Sequence, residues 1–364
     1  MTNQRHNAAP LGYVLALVII LMMVAAGLSL VFLKDEPLAV SRKYEPAGVM
    51  GTQCKIVPVV RANQQDVMEE AAREAEAVVR RVELLMSRHI EASEISRFNA
   101  ARAGESVELS KETLTVLRAA RDAHGQTAGA FDVTIRPIIE LWKRCASDER
   151  VPTAQELAAA RQRSYWDLIR LEDHSAGKLS DTASVDLGGI AKGYAVDMAL
   201  AVLREKGCVG GLVDIGGDIA CFGERVGGGK WRIPVQDPFQ PQRQDAWIAE
   251  LRIDEGAVCT SGNYARYTVI GGKRYSHIID PHTGWPVDAV PSVTVYAHAA
   301  MTADFWATAL SVLGPAGLKL LPEDAGIEAM MIVGVQGDYT IHKTDGFDAL
   351  LAETPATATA EGDS

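Results

Sequence analysis

"SVDLGGIAKGYAVDMAL", residues 184–200, sets an aspartate, two adjacent glycines and a lysine at the head of an apolar-periodic run. Glycine omits the Cβ that would hold a ligand off the backbone, and a helix opening here aims free N–H groups and its positive dipole end at whatever binds. A phosphate fits that description. So does an ordinary Gly-Gly turn before a helix, and the stretch alone leaves both open. Its position in the chain bears on the fold. Apolar spacing predicts helices over 64–87, 111–124, 135–145 and 154–163 before it, over 190–206 within it and over 301–313 after it. Strand-like runs follow at 212–215, 231–235, 249–253, 258–260, 275–279, 293–297 and 329–333, with one early run at 48–60. Helices gathered early and antiparallel-looking strands gathered late predict a mixed α+β domain with a strand-rich C-terminal half, not a doubly wound sheet.

The chain has 364 residues, 48% of them hydrophobic, which is ample for a large core. A net charge of −11, with basic residues interspersed among acids, argues against nucleic acid as a partner. Residues 11–33, "LGYVLALVIILMMVAAGLSLVFL", carry no charge over the ~20 residues needed to cross a hydrocarbon core. A cleaved signal peptide is the alternative, but its apolar centre spans only about 7–15 residues. A retained single-pass transmembrane helix is therefore expected. Arg5 and His6 precede it, so the positive-inside rule puts residues 1–10 in the cytoplasm and everything from Lys34 on the periplasmic, extracytoplasmic side of the inner membrane. Residues 34–47, with Pro37 and Pro46, read as a linker, 48–350 as the folded domain and 351–364 as a disordered tail. Five scattered cysteines form no CxxC and read as buried free thiols.

Several residue groups have the makings of a site. Asp186 is either an N-cap for the helix from 190 or a ligand contact. Lys192 places a cation at a helix N-terminus, where it is unfavourable unless an anion is near. Asp304 and Thr308 stand four apart on an expected helix, so a carboxylate and a hydroxyl share a face and can meet a hard cation, although helix-end stabilisation explains them too. His277 ends a strand that empties into the turn dipeptides Asp280-Pro281 and Thr283-Gly284, a position open to acid–base work or to a structural hydrogen bond. Phe131 and Asp132 lie between a helix end and the next helix, where an aromatic flanks a planar ring or simply packs. No GxSxG or Ser/His/Asp grouping suggests a serine hydrolase.

In order along the chain, "MGT" (50–52), "MS" (86–87), "SEISRFN" (93–99), "AFDVTIRP" (130–137), "DLGGIAKGYAVD" (186–197), "GLVDIGGD" (211–218), "TSGNYARY" (260–267), "HIIDPHTGWPV" (277–287) and "ADFWATALSVLG" (303–314) resemble the ApbE-type FAD:protein FMN transferases. The resemblance spans about 48–345. It implies cleavage of FAD at its pyrophosphate, departure of AMP and esterification of FMN to a Ser or Thr hydroxyl. It further implies that Asp186, Gly188, Gly189 and Lys192 line the phosphate and adenosine region, and that Met50, Ala130, Phe131, Asp132 and Ile279 contact the flavin. Mg²⁺ would be held by Asp304, Thr308 and backbone oxygens of Gly189 and Ala307. His277 would be the catalytic histidine that activates the acceptor hydroxyl, and Asp304 with Mg²⁺ would spread the charge of departing AMP. The chain departs from the family pattern at His89, where a tyrosine is usual, and at Phe305, bulkier than the usual alanine. An FAD-binding module or an FAD pyrophosphatase would use the same pocket. No Asp-x-x-Thr-Gly-Ala-Thr acceptor pattern occurs in the chain, so the expected partner is a separate acceptor flavoprotein or redox-complex subunit carrying an Asp-x-x-Thr/Ser-Gly-Ala-Thr/Ser-like motif.

Overall fold

The computed structural model describes residues 22–23, 38–243, 245–263 and 266–352. The α-helices named among them are α1 (Gln65–Met86), α2 (Glu94–Ala100), α3 (Lys111–Gln126), α4 (Arg136–Ser147), α5 (Ala154–Arg161), α6 (Ala191–Glu205) and α7 (Ala300–Leu313). The strands are β1 (Ala39–Ser41), β2 (Cys54–Arg61), β3 (Ser106–Glu108), β4 (Ile169–Leu171), β5 (Ser175–Lys178), β6 (Gly210–Ile215), β7 (Asp218–Gly223), β8 (Trp231–Gln236), β9 (Trp247–Ile253), β10 (Gly256–Gly262), β11 (Tyr267–Ile270), β12 (Lys273–Ser276), β13 (Ser292–Ala297), β14 (Glu328–Val335) and β15 (Asp338–Lys343). The mixed α+β expectation holds.

Eight strands form one antiparallel sheet in the order β1-β2-β6-β7-β10-β13-β14-β15. Period-2 alternation gives it two faces. On one, Ile56, Val213, Cys259, Val295 and Met331 point into a core covered by α1, α6 and α7. On the other, Val59, Cys221, Val258 and Met330 meet Trp231, Ile233, Leu251 and Ile253 of the β8–β9 hairpin. The sheet is thus a middle layer. Helix α1 forms because Met68, Ala71, Ala75, Val79, Val82 and Met86 fall on one buried stripe, with its charged residues outside. Ser93, Ser110 and Thr153 cap α2, α3 and α5, the last in a full capping box with Glu156.

Some expectations need correction. Residues 39–41 are not linker: β1 pairs with β2, and Tyr44 bridges Ile56, while Pro46 falls outside this ladder, where an edge strand tolerates it. The early strand starts at Cys54, after a turn in which Met50 takes a left-handed φ of 50°. The N-cap of α6 is Ile190 without a side-chain bond, so Asp186 does not cap that helix. The expected membrane helix, 11–33, lies outside the described residues except for Met22 and Met23. Among the described residues no helix is long and apolar enough to cross a membrane. All five cysteines are buried and free.

Candidate active site

A cleft of about 810 Å³ opens where the loop before α6, the start of α7, the strand end of β10 and the β11–β12 hairpin converge. Pockets for organic ligands run to about 300–1,000 Å³, so this one is of dinucleotide size. Met50, Ala130, Phe131, Asp132, Asp186, Gly188, Gly189, Lys192, His277, Ile279, Asp304 and Thr308 all line it. Ala307 does not. It is buried in the core, and its carbonyl accepts a 2.8 Å hydrogen bond from Ser311 Oγ.

At the centre, Lys192 Nζ donates to Asp218 and lies 3.4 and 3.5 Å from the two oxygens of Asp304. Asp304 Oδ2 also accepts from the backbone N–H of Gly193 at 3.0 Å. That approach needs glycine, since a Cβ at 193 would fall 2.4 Å from the Ala300 carbonyl oxygen. Burial opposes the charge on Lys192, yet the carboxylates of Asp218 and Asp304 outweigh it and raise the ammonium pKa. Burial, then the charge of Asp304, pushes Asp218 upward, with Lys192 pulling the other way. Gly189 is held between Phe131 and Thr308: a Cβ there would sit 3.1 Å from Phe131 Cε2 and 3.2 Å from Thr308 Oγ1. Asp304, Thr308 and the Gly189 backbone offer hard oxygen donors, the set that suits Mg²⁺. Among the described residues no three His, Cys, Asp or Glu side chains gather to hold a metal, so protein donors are few, as they are where substrate phosphates complete the shell.

Asp186 is a turn holder. It accepts from the Gly188 N–H at 3.0 Å and pairs with Arg88 Nε at 2.7 Å, which fixes the Gly-Gly turn against the cleft wall. Asp132 accepts from the Thr134 N–H at 2.7 Å. Burial raises its pKa against the pull of those bonds and of His124 and His282. The Asp280 loop is locked from both sides: Asp280 accepts from the His282 N–H and the Thr283 hydroxyl, and Trp142 Nε1 donates to the Gly284 carbonyl at 2.7 Å. His282 Nε2 in turn reaches the Ala128 carbonyl at 3.1 Å, tying this loop to Ala130 and Phe131. Phe305 goes to the core, where it packs on Phe131 and Trp306.

His277 follows β12 directly. Its Nδ1 lies 2.9 Å from the Arg266 carbonyl, which can only accept, so Nδ1 carries the proton and Nε2 keeps its lone pair. Surrounding protein disfavours the imidazolium, and the charges of Arg266 and Lys192 lower the pKa further, against the raising effect of that hydrogen bond. The result is a neutral imidazole with a free acceptor nitrogen on a cleft.

Residues 50–331 match the model of the ApbE family. The chain belongs to the ApbE family. It is 37% identical over 271 residues to the FAD:protein FMN transferase of Vibrio cholerae, covering 74% of this chain and 80% of that one. With the Haemophilus influenzae enzyme of the same name it shares 30% over 344 residues, 91% and 96% of the two chains. Among solved structures, the ApbE protein of Thermotoga maritima superposes with a TM-score of 0.76 at 31% identity, over 86% of this chain and 100% of that one. The Vibrio cholerae flavin transferase ApbE gives 0.73 at 31%, with the same coverage.

Arg88, Asp218 and Asp197, which shape this ApbE site, were not singled out from the sequence. Asp218 follows a Gly-Gly hairpin turn, φ 64° and 93° at Gly216 and Gly217, and that turn was the signal that a strand and its first side chain come next. Asp197 lies within the quoted "DLGGIAKGYAVD" and accepts from the Ala300 and Met301 N–H groups at 2.7 and 2.9 Å, capping α7 from a neighbouring helix.

Proposed function

We propose that this chain transfers FMN from FAD to a Ser or Thr hydroxyl of an acceptor flavoprotein and releases AMP. The observation that carries the reading is the meeting, in one dinucleotide-sized cleft, of an imidazole with a free Nε2 and the oxygen donors of Asp304 and Thr308. A hydroxyl cannot ionise unaided near neutral pH, so a positioned base is needed for transfer and not for binding. His277 Nε2 takes the hydroxyl proton as the oxygen bonds to the phosphorus of the FMN half. The pyrophosphate P–O bond breaks, AMP leaves with the bonding pair, and the proton on His277 returns to solvent. Mg²⁺ held by Asp304, Thr308 and the Gly189 backbone would neutralise charge on the diphosphate. Lys192 stays cationic beside the same carboxylates. Phe131, Met50, Ala130 and Ile279 offer the apolar wall that a flavin ring requires.

The membrane reading belongs to the same proposal. The uncharged stretch at 11–33 and the positive-inside pattern support a catalytic domain tethered on the periplasmic side of the inner membrane.

The test is mass spectrometry of an acceptor bearing an Asp-x-x-Thr-Gly-Ala-Thr segment after incubation with the chain, FAD and Mg²⁺. An FMN-sized gain that vanishes with chelator, in His277→Ala and in Asp304→Ala, is expected. AMP and free FMN without adduct would identify a pyrophosphatase instead, and tight FAD binding without either product a flavin-binding module.

A further inference from the structure

The β11–β12 hairpin stands outside the eight-stranded sheet and has no third strand among the described residues, so each of its strands keeps one free edge. A two-stranded hairpin is marginal on its own in water. This one is anchored on one side, where Ile270 and Tyr275 pack with Ile138, Trp142 and Ile279 and Thr268 lines the cleft, and at its base, where the last residue of β12, Ser276, reaches the cleft too. The opposite side is left to solvent: Tyr267 and Val269 are 44% and 53% exposed. Arg274 belongs to this side and lies over the Tyr267 ring at 4.4 Å, whereas Lys273, next to the turn, falls on the side of Ile270 and Tyr275 with its Nζ 5.2 Å from the Tyr275 ring. Neither cation has a carboxylate within ion-pair distance among the described residues. In the β8–β9 hairpin, by contrast, Arg232 and Arg252 both pair with Glu250. Uncompensated positive charge in a chain of net charge −11 is a local departure that favours an acidic visitor. His277 is the residue that follows β12.

We propose that this hairpin receives an extended acidic segment of the acceptor protein, laid along the free edge of β12 so that its Ser or Thr hydroxyl arrives at His277. The inference rests on the transferase reading and adds the surface that selects the acceptor. Strand addition satisfies the free N–H and C=O groups of the edge, while acidic side chains on alternate faces of the added strand meet Lys273 on one side and Arg274 on the other, the latter beside the apolar Tyr267 and Val269. An anionic lipid surface would also answer the charge, but it has no use for strand edges and no reason to sit one residue from the base.

The experiment uses the full-length chain and two fluorescein-labelled peptides with a common Thr-Gly-Ala-Thr core, one flanked by Asp and Glu, the other by Lys. Vesicles of phosphatidylethanolamine with and without phosphatidylglycerol form a parallel arm. By anisotropy at low salt the acidic peptide should bind about tenfold tighter, and the double variant Lys273→Glu/Arg274→Glu should reverse the order while flavin fluorescence shows FAD binding unchanged. In transfer assays the double variant should raise KM for the acidic peptide and leave kcat near wild type. Equal binding of the two peptides, or a preference that survives the double variant, overturns the proposal. So does charge-dependent binding confined to phosphatidylglycerol vesicles. Absence of an FMN mass gain on either peptide counts against the transferase reading and leaves the anisotropy result to decide the surface.

Discussion

At the scale of single residues, His277 acts as a base only while its imidazole is neutral. Crowding by the protein and the charges of Arg266 and Lys192 hold its pKa below the usual histidine range, so protonation is postponed to lower pH. The acid limb of the transfer rate should therefore fall below pH about 6.5, the ordinary histidine value. A pH–rate profile with its acid midpoint above that would contradict the assignment, and His277→Ala should abolish the limb while lowering the rate by about 10²–10⁴. Lys192 makes a second case. Asp218 and Asp304 have side chains only 3% exposed, and the ammonium is the charge between them. Lys192→Met leaves two buried carboxylates facing each other, and stability should drop by about 3–5 kcal/mol at neutral pH, read by urea denaturation. The loss should shrink on acidification, because protonating Asp218, whose pKa burial raises, removes the repulsion. Most of these residues were legible in advance because turn glycines, a strand-end histidine and an i,i+4 carboxylate–hydroxyl pair are local patterns. Asp218 was not, since its partner Lys192 comes from a different element and only folding brings them together.

At the scale of elements, the site depends on how α6 crosses α7. Gly193 permits the approach, and its N–H orients Asp304. Gly193→Ala should force the helices apart, destabilising the fold by about 1–3 kcal/mol or more by overpacking and weakening Mg²⁺ activation, checked by thermal melting and a Mg²⁺ titration of the rate. Asp197 holds the same junction from the other side. Burial, with the charge of Asp304, raises its pKa to about 6 against the two N–H bonds it accepts. A carboxyl whose native pKa lies above its unfolded value adds stability in acid and loses it as pH rises through about 6. Relative to Asp197→Asn, the wild type should therefore gain stability between pH 7.5 and pH 4.5, by no more than about 1.4 kcal/mol per unit, measured as denaturant midpoints at the two pH values. Long amphipathic helices such as α1 and α3 were readable from spacing. The strands β7, β11 and β15 and the short helix α2 were not, for separate reasons. β7 follows directly on a Gly-Gly turn, β11 and β15 are short and mostly exposed so that their alternating residues bury no full face, and α2 is only seven residues long.

At the scale of the molecule, the fold is a sheet between two covers, with the cleft at one end of the helical layer and β1 as one edge strand of the sheet. Composition and the order of helical and strand-like runs pointed to a mixed α+β domain, but they could not say that the residues next to the apolar stretch at 11–33 belong to the sheet. Prolines at 37 and 46 look like linker, and a three-residue strand between them has no periodicity to detect. Its register is nevertheless definite: Ala39, Val40 and Ser41 face Arg61, Val60 and Val59, and the Ala62 N–H donates to the Leu38 carbonyl. The two plausible cut sites should therefore behave differently. A fragment from Lys34 keeps β1, the Tyr44–Ile56 bridge and a closed β2 edge, and it should melt as a single cooperative unit. A fragment from Gly48 strips that cover, leaving the long, half-buried β2 as an edge whose free N–H and C=O groups invite another chain. Its melting temperature should be lower, and its light scattering should rise with concentration while that of the longer fragment stays flat. Equal melting and scattering for the two would mean that β1 contributes nothing, and that the domain begins where the prolines suggested.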